Sequence, residues 1–175
     1  LGPYCSGLAE ACDVLLRHTT TRNILIIMPI NTIQNWLNEF NLWIPTKETN
    51  TTNNQHETRP RHFKIFVIND TYKTFKSRVK VVLQWKEEGG VLMMGYEMFR
   101  LLSLNKLSRK RKRKGNESDM LHPDSDESFM TSGIYEALVN PGPSVIICDE
   151  GHRIKNACEL RLFSRYILIF NVFFL

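Results

Sequence analysis

Two adjacent carboxylates, Asp149 and Glu150, follow the apolar run Val145-Ile146-Ile147-Cys148 and precede Gly151 and His152. Paired acids suit a metal–phosphate site, where one carboxylate holds a hard cation and the other orients or deprotonates a water. That chemistry needs a strand that ends where the charges begin. The run before Asp149 is continuously apolar, the pattern of a strand buried on both faces of a parallel sheet. In open α/β sheets, ligands bind outside the carboxyl ends of such strands. A buried strand entering a solvated acidic turn gives the same text, so the pair needs support from the rest of the chain.

The elements that would position the pair can be read in turn. Leu8, Cys12, Leu15 and Leu16 share one face of an opening helix. Ile24 to Met28 is a second continuous apolar strand, closed by Pro29. Asn31 then stands as a helix cap, with Gln34 in capping-box position. Ile33, Trp36, Leu37 and Phe40 recur at i, i+3, i+4 and i+7, which predicts an amphipathic helix with Trp36 and Phe40 in the core. Residues 46–62 read as a surface loop. Phe63 to Ile68 predicts a third strand, Thr71 to Glu88 a helix stopped by Gly89-Gly90, and Val91 to Met94 a fourth strand closed by Gly95. Short helices are predicted over Tyr96 to Leu104 and Ile134 to Val139, and one more strand within Tyr166 to Leu175. Strands alternating with helices imply an α/β fold with a mostly parallel sheet flanked by helices.

The chain has 175 residues and a formal charge of +5, but the charge is local. Seven of its 23 basic residues lie at Lys106 and Arg109 to Lys114, which leaves 16 basic against 18 acidic residues elsewhere. Global charge therefore says nothing about nucleic acid. The run itself has the composition of a nuclear-localisation or nucleic-acid contact segment. The acids Glu117, Asp119, Asp124, Asp126 and Glu127 that follow would equally balance it as a solvated loop. Few apolar residues occur there, which predicts a disordered insert. No two of Cys5, Cys12, Cys148 and Cys158 have Cys-x-x-Cys spacing, which argues against zinc and for a reduced, intracellular compartment. The apolar stretch Tyr166 to Leu175 is ten residues, too short to span a bilayer. Gly2 and Gly7 have the spacing of phosphate-loop glycines, but Leu8 and Ala9 stand where that loop needs Lys and Ser or Thr.

Three segments in order carry a family resemblance. Asp149-Glu150-Gly151-His152 resembles the Asp-Glu-x-His box of superfamily-two helicases, and Ile146 to Asn156 resembles the Swi/Snf-type DNA translocases. So do Ile26 to Phe40 and Gly89 to Leu102, and the likeness is greatest to the branch that includes the androgen-receptor-interacting helicase. The resemblance implies an incomplete RecA-like helicase lobe. Its expected parts are the lobe's N-terminal portion (1–104), a charged insert (105–130), the Asp-Glu-Gly-His segment (131–157) and a divergent tail (158–175).

It also implies roles. Asp149 would hold the Mg²⁺ of ATP, Glu150 would polarise the attacking water, and His152 would couple that site to DNA. Pro29, Asn31, Thr32, Gly95, Tyr96 and Glu97 would lie on the DNA-tracking face. Asn31 is equally placed to serve as a cap, and Tyr96 to pack. The implied partners are double-stranded DNA or a nucleosome and nuclear receptors, the implied compartment is the nucleus, and no membrane is involved.

The family's Gly-x-Gly-Lys-Thr loop should fall near residues 1–5, where Leu1-Gly2-Pro3-Tyr4-Cys5 stands, and no second-lobe text follows Asn156. The expectation is a first-lobe fragment of a chromatin-remodelling translocase that is inactive by itself. The alternative is a non-enzymatic remnant that binds DNA or a transcription factor.

Overall fold

Each continuous apolar run forms a strand, and the strands pair in parallel. The computed structural model describes residues 4–46, 60–103, 125–151 and 167–171. Within them lie α1 (Tyr4–His18), β1 (Asn23–Met28), a 3₁₀ turn (Ile30–Thr32), α2 (Ile33–Trp43), β2 (Ile65–Ile68), α3 (Phe75–Glu88), β3 (Gly90–Gly95) and α4 (96–103). They are followed by α5 (Ser125–Leu138), β4 (Val145–Asp149) and β5 (Ile167–Asn171). The sheet order is β2-β3-β1-β4-β5, so β1 is central, with β3 and β4 beside it. The register pairs Met28 with Gly95 and Ile27 with Cys148, which brings the ends of these three strands to one edge.

The central strands are buried on both faces, which is why their sequences do not alternate. Ile24, Ile26, Met28, Val91, Met93, Val145 and Ile147 pack with Cys12 of α1 and Ile33, Trp36 and Phe40 of α2. Leu25, Ile27, Leu92, Met94, Ile146 and Cys148 face Val79, Val82 and Trp85 of α3, Phe99 and Leu102 of α4, and Ile134 of α5. Side chains alternate faces along a strand. The residue after Cys148 therefore returns to the α1–α2 side.

Several boundaries differ from those read in the sequence. Asn31 does not cap α2. It lies inside the 3₁₀ turn, Thr32 occupies the cap position without a side-chain cap bond, and Gln34 bonds Asn38 at 3.1 Å instead of reaching back. The Pro29 carbonyl organises this turn, accepting from Thr32 N at 3.0 Å and Thr32 Oγ1 at 2.8 Å. Helix α3 begins at Phe75, because Thr74 turns its hydroxyl onto Ser77 N at 3.2 Å, and β2 begins at Ile65. Helix α5 begins at Ser125, so the last residues assigned to the insert are helical; residues 104–124 lie outside the described residues. Gly7 sits within α1 and forms no loop. The last predicted strand is present as β5, parallel to β4.

Gly89 ends α3 with φ +78°, and its N–H bonds the Trp85 carbonyl at 2.8 Å. Gly90 then opens β3 at φ +102°, where a Cβ would sit 2.4 Å from the Lys64 carbonyl oxygen. Only glycine fits that approach.

Candidate functional site

Strand β4 delivers Asp149 to the C-terminal edge of the sheet with its carboxylate on the α2 side. Asp149 is 5% exposed. Its Oδ2 accepts a 2.9 Å hydrogen bond from Nε1 of Trp36, and its Oδ1 is buried with no hydrogen-bond partner among the described residues. A buried carboxylate oxygen without a donor is rare and calls for an explanation. A hard divalent cation, or a water bound to one, supplies what this oxygen lacks, because Mg²⁺ takes oxygen ligands and keeps several waters. Asp149 Oδ1 thus has the chemistry of a single Mg²⁺ ligand, since the described residues hold no group of three or more acidic, histidine or cysteine side chains placed for a metal.

The backbone at Asp149 is also fixed. Tyr96, at the start of α4, donates its hydroxyl to the Asp149 carbonyl oxygen at 2.6 Å. Glu150 follows at φ +54°, the left-handed region that a non-glycine residue adopts at a cost of about 1–2 kcal/mol. This reversal takes the chain off the strand immediately after the acid. Such outliers cluster where structure serves function. Glu150 is half-buried and Gly151 buried, whereas His152 lies outside the described residues.

The two turns assigned to DNA tracking come together. Gly95 ends β3 opposite Met28, and a Cβ on it would meet Ile30 Cβ at 3.7 Å. Pro29 and Gly95 are buried, so they shape the turns rather than present side chains. Asn31 and Glu97 are exposed, while Thr32 and Tyr96 are half-buried. Arg100 holds the Glu97 carboxylate at 2.7 Å, which offsets its charge on this face.

Sequence reasoning placed Trp36 in the core and missed its bond to Asp149. Two signals pointed there. A buried Trp usually finds a partner for its N–H, and strand alternation places Asp149 on the side that α2 covers.

Similarity to known proteins bears on this edge as a whole. Residues 11–165 match the SNF2-related domain. The chain belongs to that family. The SNF2-related domain here is 49% identical to Helicase ARIP4 of Xenopus tropicalis over 151 residues, which cover 82% of this chain and 11% of that relative. It is 48% identical to the Homo sapiens protein of the same name over 152 residues, covering 82% of the chain and 10% of the relative. It is 30% identical to the transcriptional regulator ATRX homolog of Drosophila melanogaster over 162 residues, covering 87% of the chain and 10% of that protein. The chain thus spans about a tenth of the length of these relatives. The α/β architecture with its parallel sheet is that of a partial RecA-like helicase lobe, and the family is of the chromatin-remodelling helicase type.

Proposed function

We propose that this SNF2-related domain forms part of the first ATP-binding lobe of a DNA translocase that acts on chromatin in the nucleus. The observation that carries the reading is the state of Asp149. It lies at the end of a buried central strand, with one oxygen held by Trp36 and the other without a hydrogen-bond partner among the described residues. In this reading Asp149 holds Mg²⁺, which when bound with ATP neutralises charge on the phosphates. Glu150, one residue beyond, orients and polarises the attacking water, and His152 links the acid pair to the DNA-facing side. The exposed Asn31, with the main chain of the Ile30–Thr32 turn and of Gly95 to Glu97, meets the DNA backbone. Such contacts use main-chain amides and small polar groups and carry no base readout. The partner is double-stranded DNA or a nucleosome. The name Helicase ARIP4 supports the translocase reading, and the name transcriptional regulator ATRX supports a role in transcription. Nuclear receptors remain the partner class implied by the sequence resemblance alone.

The 175 residues contain no Gly-Lys-Thr text to grip the phosphates, so this stretch alone is proposed to hydrolyse no ATP. The test is a chimera in which residues 23–151 replace the matching stretch of human Helicase ARIP4. DNA-stimulated ATPase activity is expected in the chimera, and Glu150→Gln should lower kcat by about a hundredfold or more with ATP binding retained. Unchanged hydrolysis in the Glu150→Gln chimera would remove Glu150 from this role.

A further inference from the structure

We propose that Trp36 is the positioning residue of the metal-holding carboxylate: its indole N–H fixes Asp149 so that Oδ1 alone is presented to the cation. The proposal rests on the reading of Asp149 as the Mg²⁺-holding residue and assigns the group that sets its geometry.

The argument starts from donor count. An indole has one N–H and no acceptor, so it can satisfy one carboxylate oxygen and no more. Trp36 is 1% exposed and gives that N–H to Oδ2 at 2.9 Å. Oδ1 is left buried, with no donor from the described residues. A carboxylate held at one oxygen by a rigid ring cannot rotate to exchange its two oxygens without losing that bond.

The ring is itself immobilised. Phe40 lies one helical turn on with its centroid 6.4 Å away, Phe63 meets Phe40 edge-on at 6.2 Å, and the strand residues Ile26, Met28 and Ile147 complete the same cluster. The bond also joins two segments 113 positions apart in sequence. Helix α2 follows directly from the Ile30–Thr32 turn, so a displacement of that turn reaches Asp149 through one residue. Groups that orient a metal ligand from outside its coordination sphere typically control metal affinity 10–100-fold.

The test uses the 175-residue chain and Mn²⁺ alone as the probe. Trp36 is replaced by 3-benzothienylalanine, which keeps the bicyclic shape and removes only the N–H, and in parallel by phenylalanine. Mn²⁺ broadening of the Asp149 side-chain carboxyl ¹³C signal, identified by its loss in Asp149→Asn, reports binding at the site. Water-proton relaxation gives the Mn²⁺ affinity of every variant. The expected result is a roughly tenfold weaker Mn²⁺ affinity in both Trp36 variants. The Trp36 indole N–H signal should also shift on Asp149→Asn while that of Trp85, bonded to the Gly90 carbonyl at the opposite end of β3, stays in place. If Asp149→Asn abolishes Mn²⁺ binding but the benzothienyl variant binds as the natural chain does, the role of Trp36 is overturned and that of Asp149 stands. If Asp149→Asn leaves Mn²⁺ affinity unchanged, the metal reading falls and the positioning role falls with it.

Discussion

The Tyr96 hydroxyl and the Asp149 main-chain carbonyl are joined by a 2.6 Å hydrogen bond that links the start of α4 to the end of β4. Strand β1 lies between β3, which leads directly into Tyr96, and β4, which ends at Asp149, so the bond spans the crevice edge. It holds the Asp149 backbone, and with it the entry to the left-handed Glu150, where pairing of β4 with β1 has ended at Cys148.

Tyr96→Phe removes the donor and keeps the ring. The Asp149 carbonyl then loses this donor in a partly buried place, a loss of about 1 kcal/mol. The urea midpoint should fall accordingly, with an unchanged m-value. An unchanged midpoint would mean that water replaces the hydroxyl without cost.

Gly90→Ala should be far more damaging. The substitution meets both a φ of +102° and a Cβ position 2.4 Å from the Lys64 carbonyl oxygen. That oxygen is held in place by Val91 N–H at 3.0 Å, so it cannot retreat without breaking the β2–β3 entry. Strain and backbone displacement together predict about 3 kcal/mol or more. Circular dichroism during urea unfolding would show it, and a shift under about 1 kcal/mol would show that the two strands separate freely there.

The contrast between these sites marks what the sequence could reveal. Strand burial was legible because a run such as Ile24 to Met28 has no polar face. The inward phase of α2 was legible because Ile33, Trp36 and Phe40 share one side of a helix. Caps were less so: Asn31 has the right residue type, but Pro29 diverts the chain into a 3₁₀ turn and its carbonyl claims the Thr32 hydroxyl. Helix α5 was under-read because Ser125, Asp126, Glu127 and Ser128 lack the apolar spacing that marks a buried face. The bond from Trp36 to Asp149 was hidden for another reason, since a local pattern carries no register between segments so far apart.

Gly133→Ala tests the opposite case. Gly133 lies within α5, where alanine gains about 1 kcal/mol of helix propensity. Its Cβ would fall 2.8 Å from Leu83 Cδ2, the tip of a flexible side chain. Leu83 lines a groove of about 510 Å³ with Val79 and Met130 and has room to turn into it. A stabilisation between zero and about 1 kcal/mol is expected in thermal or urea unfolding. A clear loss would show that Leu83 is locked against α5.

Two fully buried thiols among the described residues, Cys12 and Cys148, set a pH dependence. Burial pushes Cys12 and Cys148 from an ordinary 9.0 up to about 12. The folded chain therefore disfavours both thiolates, whereas the unfolded chain ionises them near the ordinary value. Because the folded values are raised, the thiols' contribution is complete below pH 9 and is lost as pH climbs from 9 toward 12. Stability should decline over that window, with the unfolded state binding fewer protons. Tyrosines and lysines also titrate there, so the comparison that isolates the thiols is Cys12→Ala with Cys148→Ala. The double variant starts lower, from the volume removed from two packed sites, but should lose less stability between pH 8.5 and 10. A second measurement is independent of unfolding energetics. A thiol reagent at pH 8 should leave Cys12 and Cys148 unmodified in the folded chain and label both once denaturant is added, because the thiolate is the reactive form and burial withholds it. Rapid labelling of Cys148 under native conditions would show that β4 is not covered as the packing requires, and that the buried end of Asp149's strand is open to solvent.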